Sequence, residues 1–128
     1  MYKHGALTGK IIKGYYEVYN ELGTGFLESV YENAFKYVLK QHNLNVTQQK
    51  PIKVYFREKI VGNFTADLMV EDKVIIELKA VNKLVNRHKA QTINYLKATD
   101  IDVALLMNFG SKPDFKRFIF DKKRIIRQ

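Results

Sequence analysis

Residues 67–79, Asp-Leu-Met-Val-Glu-Asp-Lys-Val-Ile-Ile-Glu-Leu-Lys, decide the fold of this 128-residue chain. Two apolar runs flank the polar residues 71–73, a pattern that predicts two strands joined by a tight turn. Side chains alternate along a strand, so Glu77 and Lys79 should share one face of the second strand. Asp67, on the first strand, comes opposite them if the hairpin is in register.

This arrangement of charges suits a particular chemistry. Two carboxylates that point at one place make a good seat for a hard divalent cation such as Mg²⁺, which prefers oxygen ligands. A lysine beside them can orient a water or neutralise charge that develops on a phosphate. The alternative is a surface hairpin that carries Glu77 and Lys79 as a solvated face, and these residues alone leave both interpretations open.

Length and composition exclude several classes of protein. A chain of this length predicts one domain, spanning residues 1–128. There is no cysteine, which excludes disulfides and thiolate sites. No apolar run approaches the roughly 20 residues of a membrane span. The first five residues lack the apolar core of a signal peptide. We therefore expect a cytoplasmic protein with no membrane partner.

The charge indicates a polyanionic partner. Lysine and arginine number 22 against 13 acidic residues, which gives a net charge of +9. From residue 112 onward there are seven basic residues and two acids. A basic surface of this kind attracts nucleic acid through phosphate contacts and counterion release. A solvated, solubilising tail is the alternative explanation of the same residues.

Apolar residues at helical spacing predict three helices, over residues 8–22, 26–41 and 84–98. We expect Thr8 and Thr24 to cap the first two and Gly23 to end the first in a left-handed conformation. The buried face of the second helix should include Leu27. In the third helix the polar Gln91 falls on one stripe with Leu84, His88 and Tyr95, which is unusual if that stripe belongs to the core.

The strand pattern surrounds the opening hairpin. Strands are expected over residues 46–56 and 60–70, around a turn at 57–59. Pro51 places the first strand at an edge or delays its start, and Gly62 is a candidate bulge. The apolar run 102–107 predicts a buried strand, followed by a loop over 108–113. Residues 118–120 and 125–126 could form a final hairpin.

The chain resembles a known family along nearly its whole length. Residues 25–31, Gly-Phe-Leu-Glu-Ser-Val-Tyr, fit the Gly-x-x-Glu-x-x-Tyr motif of the GxxExxY family. That family is placed in the PD-(D/E)xK nuclease-like superfamily, and Ala66 stands where the superfamily name has proline. The resemblance implies an α/β fold with a restriction-endonuclease-like core, a mixed β-sheet flanked by helices. Four further blocks match in order: Ala66-Asp67, Glu77-Leu78-Lys79, His88-Lys89-Ala90-Gln91 with Tyr95-Leu96-Lys97-Ala98, and Asn108-Phe109-Gly110.

The resemblance also implies roles for individual residues. Asp67 and Glu77 would be the principal ligands of Mg²⁺ or Mn²⁺, with the Leu78 carbonyl a further candidate, and Glu28 would complete the metal site directly or through water. Lys79 would orient the attacking water or stabilise charge on the phosphate. The catalytic set implied in this way is Glu28, Asp67, Glu77, Lys79 and Gln91, and the substrate contacts are Tyr31, Tyr95 and Lys89. For Glu28 and Tyr31 there are simpler alternatives: a helix-dipole partner and a core aromatic.

Together these observations predict a Mg²⁺- or Mn²⁺-dependent nuclease that hydrolyses phosphodiester bonds in DNA. The alternative is a non-catalytic nucleic-acid-binding module with the same fold, whose binding would be sensitive to salt and indifferent to EDTA. A structural or partner-binding role is a third candidate. The sequence leaves open whether the domain forms a homodimer.

Overall fold

The computed structural model describes residues 3–120 and contains three helices and five strands in that part of the chain. The strands form one sheet in the order β1-β2-β3-β4-β5. In chain order the elements are α1 (Gly5–Leu22), α2 (Glu28–Gln41), β1 (Val46–Phe56), β2 (Lys59–Val70), β3 (Val74–Lys79), α3 (Asn86–Ala98), β4 (Val103–Phe109) and β5 (Pro113–Ile119).

The sheet is mixed. β3 and β4 are parallel, whereas β1–β2, β2–β3 and β4–β5 are antiparallel pairs. Parallel neighbours need a crossover connection, and α3 supplies it. All of β4 and all of β3 except Lys79 are buried, as expected for central strands covered on both faces. The predicted class, a mixed sheet flanked by helices, is confirmed.

Two apolar clusters hold the layers together. The larger lies between the sheet and the helices α1 and α2 and includes Tyr15, Phe35 and Leu78. The smaller lies between the sheet and α3 and includes Ile75 and Leu96. Because neighbouring residues of β3 enter different clusters, the predicted alternation along this strand is correct.

The beginnings of the first two helices differ from prediction. α1 starts at Gly5, so Thr8 lies inside the helix, where its hydroxyl donates to the Gly5 carbonyl (3.1 Å) instead of capping. α2 starts at Glu28, and neither Thr24 nor any other side chain caps it. The physical reason is the positive φ of Gly23 (68°) and Gly25 (104°), which keeps the connecting segment non-helical. The prediction that Leu27 is buried was therefore wrong; it is 77% exposed.

Other boundaries shift by a few residues. α3 begins at Asn86, and β4 continues through Phe109, so the predicted loop 108–113 is shorter. β5 begins at Pro113, while residues 125–126 lie outside the described part of the chain. Pro51 lies on the edge strand, and a register shift opposite Gly62 marks the predicted bulge. None of the helices within residues 3–120 is long and apolar enough to cross a membrane.

Candidate active site

Asp67 and Glu77 face each other where β2 and β3 separate. Regular backbone pairing of these strands ends at Leu68 and Ile76. Beyond that pair, the Asp67 amide donates to Oε1 of Glu77 (3.0 Å), and the Leu78 amide donates to Oδ2 of Asp67 (2.7 Å). Each carboxylate thus accepts a hydrogen bond from a backbone amide of the opposite strand, in the place where regular pairing would have a backbone carbonyl. The structure places the two acids opposite each other, as the hairpin register predicts.

The surroundings of this pair destabilise its ionised form and raise the pKa of both carboxyl groups. Glu77 is 4% exposed, and burial, followed by repulsion from Asp67, raises its pKa to about 8. The pKa of Asp67 rises to about 6 because of burial, with the charges of Glu32 and Glu28 adding to the effect. Two desolvated carboxylates of like charge are stabilised in their ionised form when a cation lies between them.

Glu32 is a buried acid next to this pair, and the sequence pattern did not reveal it as a site residue. Its Oε2 accepts a hydrogen bond from the side-chain amide of Gln48 (2.5 Å), and its Oε1 accepts one from the side-chain amide of Gln49 (2.8 Å). The side-chain amide of Gln49 also donates a hydrogen bond to Oδ1 of Asp67 (3.4 Å). One glutamine therefore bridges two carboxylates. The signal available in the sequence was the spacing of Glu32, one turn after Glu28 on the same helix.

Glu28 lies beside the pair without joining it. It is the first residue of α2, is exposed, and its charge contributes to the raised pKa values of Asp67 and Glu77. Within residues 3–120, no three Asp, Glu or His side chains form a preformed metal cluster. Of the three predicted metal ligands, the structure brings two into contact and leaves the third within electrostatic range.

The donor set nevertheless fits a hard divalent cation. Asp67, Glu77 and Glu28 offer carboxylate oxygens, which Mg²⁺ and Mn²⁺ prefer. Among residues 3–120, Oε2 of Glu77 has no hydrogen-bond partner, so this oxygen stays available to a ligand. Burial raises the pKa of both acids and repulsion from neighbouring carboxylates adds to it, so a bound cation would stabilise their ionised forms.

Lys79 and His88 lie within electrostatic range of the acidic site. Lys79 is half-buried, and its charge lowers the pKa of both Glu77 and His88. His88 is buried, with its Nδ1 accepting from the Val85 amide (3.1 Å) at the start of α3. Burial is the main cause of its lowered pKa. Lys79 therefore stabilises the ionised form of Glu77, whereas the His88 ring accepts a hydrogen bond at the start of α3.

Gln91 and Tyr95 extend the site along α3. The Gln91 amide donates to the Tyr95 hydroxyl (3.1 Å), which itself donates to the Thr65 carbonyl (3.5 Å). Tyr95 is buried, and its pKa is raised to about 12 by burial and then by the charges of Glu77 and Asp67. Gln91 is exposed and can therefore reach a ligand.

Tyr31 and Lys89, two predicted substrate contacts, have different surroundings. Tyr31 is fully buried, stacks on Phe109 (4.3 Å between ring centroids) and donates to the Gly23 carbonyl (2.7 Å). It therefore has no exposed surface with which to contact a substrate. Its hydroxyl accepts from the Phe26 amide (3.3 Å), which anchors the loop before Glu28. Lys89 is half-buried in the first turn of α3.

Residues 5–118 match the family model of the PD-(D/E)XK nuclease superfamily, and the chain belongs to this superfamily. No curated protein matches the sequence. The crystal structure of SSO0001 is similar, with a TM-score of 0.58 and 17% identity, over 77% of this chain and 54% of that one. This chain thus spans about half the length of SSO0001.

A second similar structure is an alkaline exonuclease, LHK-Exo, from Laribacter hongkongensis. Its TM-score is 0.54 at 14% identity, over 99% of this chain and 76% of that one. At these identities the likeness concerns the fold. Together with the family match, it confirms the predicted PD-(D/E)XK nuclease fold.

Proposed function

We propose that the protein is a metal-dependent nuclease that hydrolyses phosphodiester bonds in DNA. The observation that carries the proposal is the Asp67–Glu77 pair, whose carboxylates face each other through reciprocal bonds to the opposite strand. Membership of a nuclease superfamily and the net charge of +9 support a nucleic-acid substrate. The motif over residues 25–31 supports placement in the GxxExxY branch.

The side chains of the site divide the work. Asp67 and Glu77, with Glu28 directly or through water, would hold Mg²⁺ or Mn²⁺. When bound, such a cation supplies an activated water and neutralises charge on the scissile phosphate. Lys79 donates from its ammonium to the phosphate oxygens or to the attacking water, where developing charge is greatest. The exposed amide of Gln91 donates to the substrate from α3.

Cleavage assays with matched variants test this assignment. Single-stranded, duplex and branched DNA, and RNA of the same sequence, are incubated with Mg²⁺, Mn²⁺ or EDTA. We expect metal-dependent cleavage of DNA that EDTA abolishes. Glu77→Gln and Lys79→Ala should each lower the rate at least about a hundredfold. Glu21→Gln, which changes an exposed acid on α1, is the control and should cleave at the wild-type rate.

Two results would count against the proposal. Folded wild-type protein that cuts none of these substrates with either metal would contradict nuclease activity. Binding that is sensitive to salt, unchanged by EDTA and not followed by cleavage would assign the protein to the non-catalytic alternative.

A further inference from the structure

The hairpin of β1 and β2 extends well beyond the rest of the sheet. β3 pairs with β2 only at residues 68–70, whereas β1 and β2 stay paired as far as Phe56 and Lys59. Residues 50–65 therefore form a two-stranded ribbon, which we call the arm. Two-stranded ribbons are marginally stable alone, so an arm of this length calls for a functional explanation.

Large apolar side chains are exposed on the arm. Five of them fall within ten positions, and a smaller group of three, Phe26, Leu27 and Val30, lies at the start of α2. Because side chains alternate along a strand, Tyr55 and Phe56 lie on opposite faces of the arm, so apolar surface is exposed on both faces and is available for binding. The exposed fractions are 60% for Tyr55, 60% for Phe56, 48% for Ile60, 62% for Val61 and 39% for Phe64.

The arm is also basic. It contains four basic residues, Lys50, Lys53, Arg57 and Lys59, against the single acid Glu58. The Arg57 guanidinium lies over the ring of Phe56, 5.1 Å from its centroid. Aromatic rings interleaved with cations suit single-stranded nucleic acid, because rings stack on bases while cations hold phosphates. A second copy of the chain would instead bring two positively charged arms together.

A groove lies beside the arm, and Tyr95 links one of its lining residues to the carboxylate pair. It has a volume of about 210 Å³ and lies between the arm and α3. The ring of Phe64 contacts Tyr95, with 5.7 Å between centroids. Tyr95 in turn lies within the electrostatic range of Glu77 and Asp67. The groove offers a ring for stacking, an amide and a cation, and its lining residues are Val54, Phe64, Asn94, Lys97 and Ala98.

We propose that the arm and this groove bind the unpaired nucleotides next to the scissile phosphate, so that the substrate is single-stranded on that side. The inference rests on the proposed nuclease function and names the form of its substrate. The strand advances seven residue steps from Gln49 to the tip at Phe56, a reach of about 23 Å. That reach corresponds to about seven stacked nucleotides.

Binding to a fluorescein-labelled 20-nucleotide single strand, measured by anisotropy in EDTA, tests the inference. The double variant Tyr55→Ala/Phe56→Ala and the single variant Phe64→Ala should each bind about tenfold more weakly or worse. Tyr37→Ala removes a ring on α2 that is equally exposed (65%) and should bind like the wild type. Affinity should rise with strand length up to about seven nucleotides and then level off.

A second kind of variant keeps the inference testable if the ring variants fail to fold. Arg57→Gln/Lys97→Gln keeps every ring and should make the slope of log affinity against log salt shallower by about 1.4, since each lost contact on a single strand contributes about 0.7. Unchanged affinity in the folded ring variants would overturn the inference. The inference would also be overturned if the wild type bound duplex DNA more tightly than single strands and the variants kept that duplex binding. A further contradiction would be a dimer that the ring variants dissociate while their single-strand binding stays unchanged. The binding assay contains EDTA and does not depend on cleavage. A failure to cleave DNA in the metal-containing assay would therefore contradict the proposed function without deciding the binding inference.

Discussion

At the scale of single residues, the position of Asp67 depends on a strained neighbour. Gln49 has a φ of 53°, a left-handed conformation that costs a non-glycine residue of the order of 1 kcal/mol. In this conformation its amide reaches both Glu32 and Asp67. The strain is thus stored where it fixes one oxygen of a proposed metal ligand.

We predict that Gln49→Ala weakens the site without unfolding the protein. Loss of the bridge frees Oδ1 of Asp67, so we expect about a tenfold fall in kcat and in Mn²⁺ affinity. Calorimetric titration with Mn²⁺ and steady-state kinetics measure the two effects. Gln41→Ala, at the exposed end of α2, is the matched control. Equal Mn²⁺ affinity in both variants would show that Gln49 does not help to position the metal ligands.

The raised pKa of Glu77 predicts how the stability of the metal-free protein depends on pH. The folded protein holds this proton up to about pH 8, whereas an ordinary glutamate releases it near 4.5. Between these values the unfolded state binds fewer protons, so the free energy of unfolding falls as pH rises, by at most about 1.4 kcal/mol per pH unit. Urea unfolding in EDTA from pH 5 to 8 should show a smaller fall for Glu77→Gln than for Glu21→Gln. Identical slopes for the two variants would contradict the burial of a proton on Glu77.

At the scale of elements, one asparagine joins the end of β4 to the segment after Lys79. The side chain of Asn108 accepts from the Val81 amide (3.0 Å) and donates to the Val81 carbonyl (2.8 Å). Gly110 lies close by, and a Cβ there would be 2.3 Å from the same carbonyl. This clamp fixes where β3 ends and therefore where Lys79 lies.

We predict that Asn108→Ala destabilises the protein by about 2 kcal/mol, because two partly buried backbone groups of Val81 lose their partner. Urea unfolding measures the change. Asn20→Ala, on the exposed face of α1, should change the free energy of unfolding by less than about 0.5 kcal/mol. A loss in Asn108→Ala no larger than in that control would show that the clamp carries no stability.

The elements also show how far the sequence predicts the structure. Apolar periodicity located all three helices and the first three strands to within a few residues, because it reflects burial directly. It placed Asp67 opposite Glu77 because strand alternation and a short turn determine that register. It missed the start of α2, which depends on the backbone conformation of Gly23 and Gly25. It also missed Glu32, whose partners lie 16 and 17 residues away in the sequence.

At the scale of the whole molecule, an acidic site lies within a basic protein. The net charge of +9 attracts a polyanion, while the carboxylate pair would repel its phosphates unless a cation compensates. Binding should therefore weaken steeply with salt. We predict that affinity for single-stranded DNA, measured in EDTA, falls at least about tenfold between 50 and 200 mM KCl. An affinity that stays constant over this range would contradict an electrostatic mode of binding.

The most direct test of the account is the anomalous scattering of crystals soaked in Mn²⁺. We expect a manganese peak between the carboxylates of Asp67 and Glu77, and no peak there in crystals of Glu77→Gln treated in the same way. Wild-type crystals without density at this position, from protein that is folded and soaked to saturation, would contradict the claim that these two acids hold a catalytic metal.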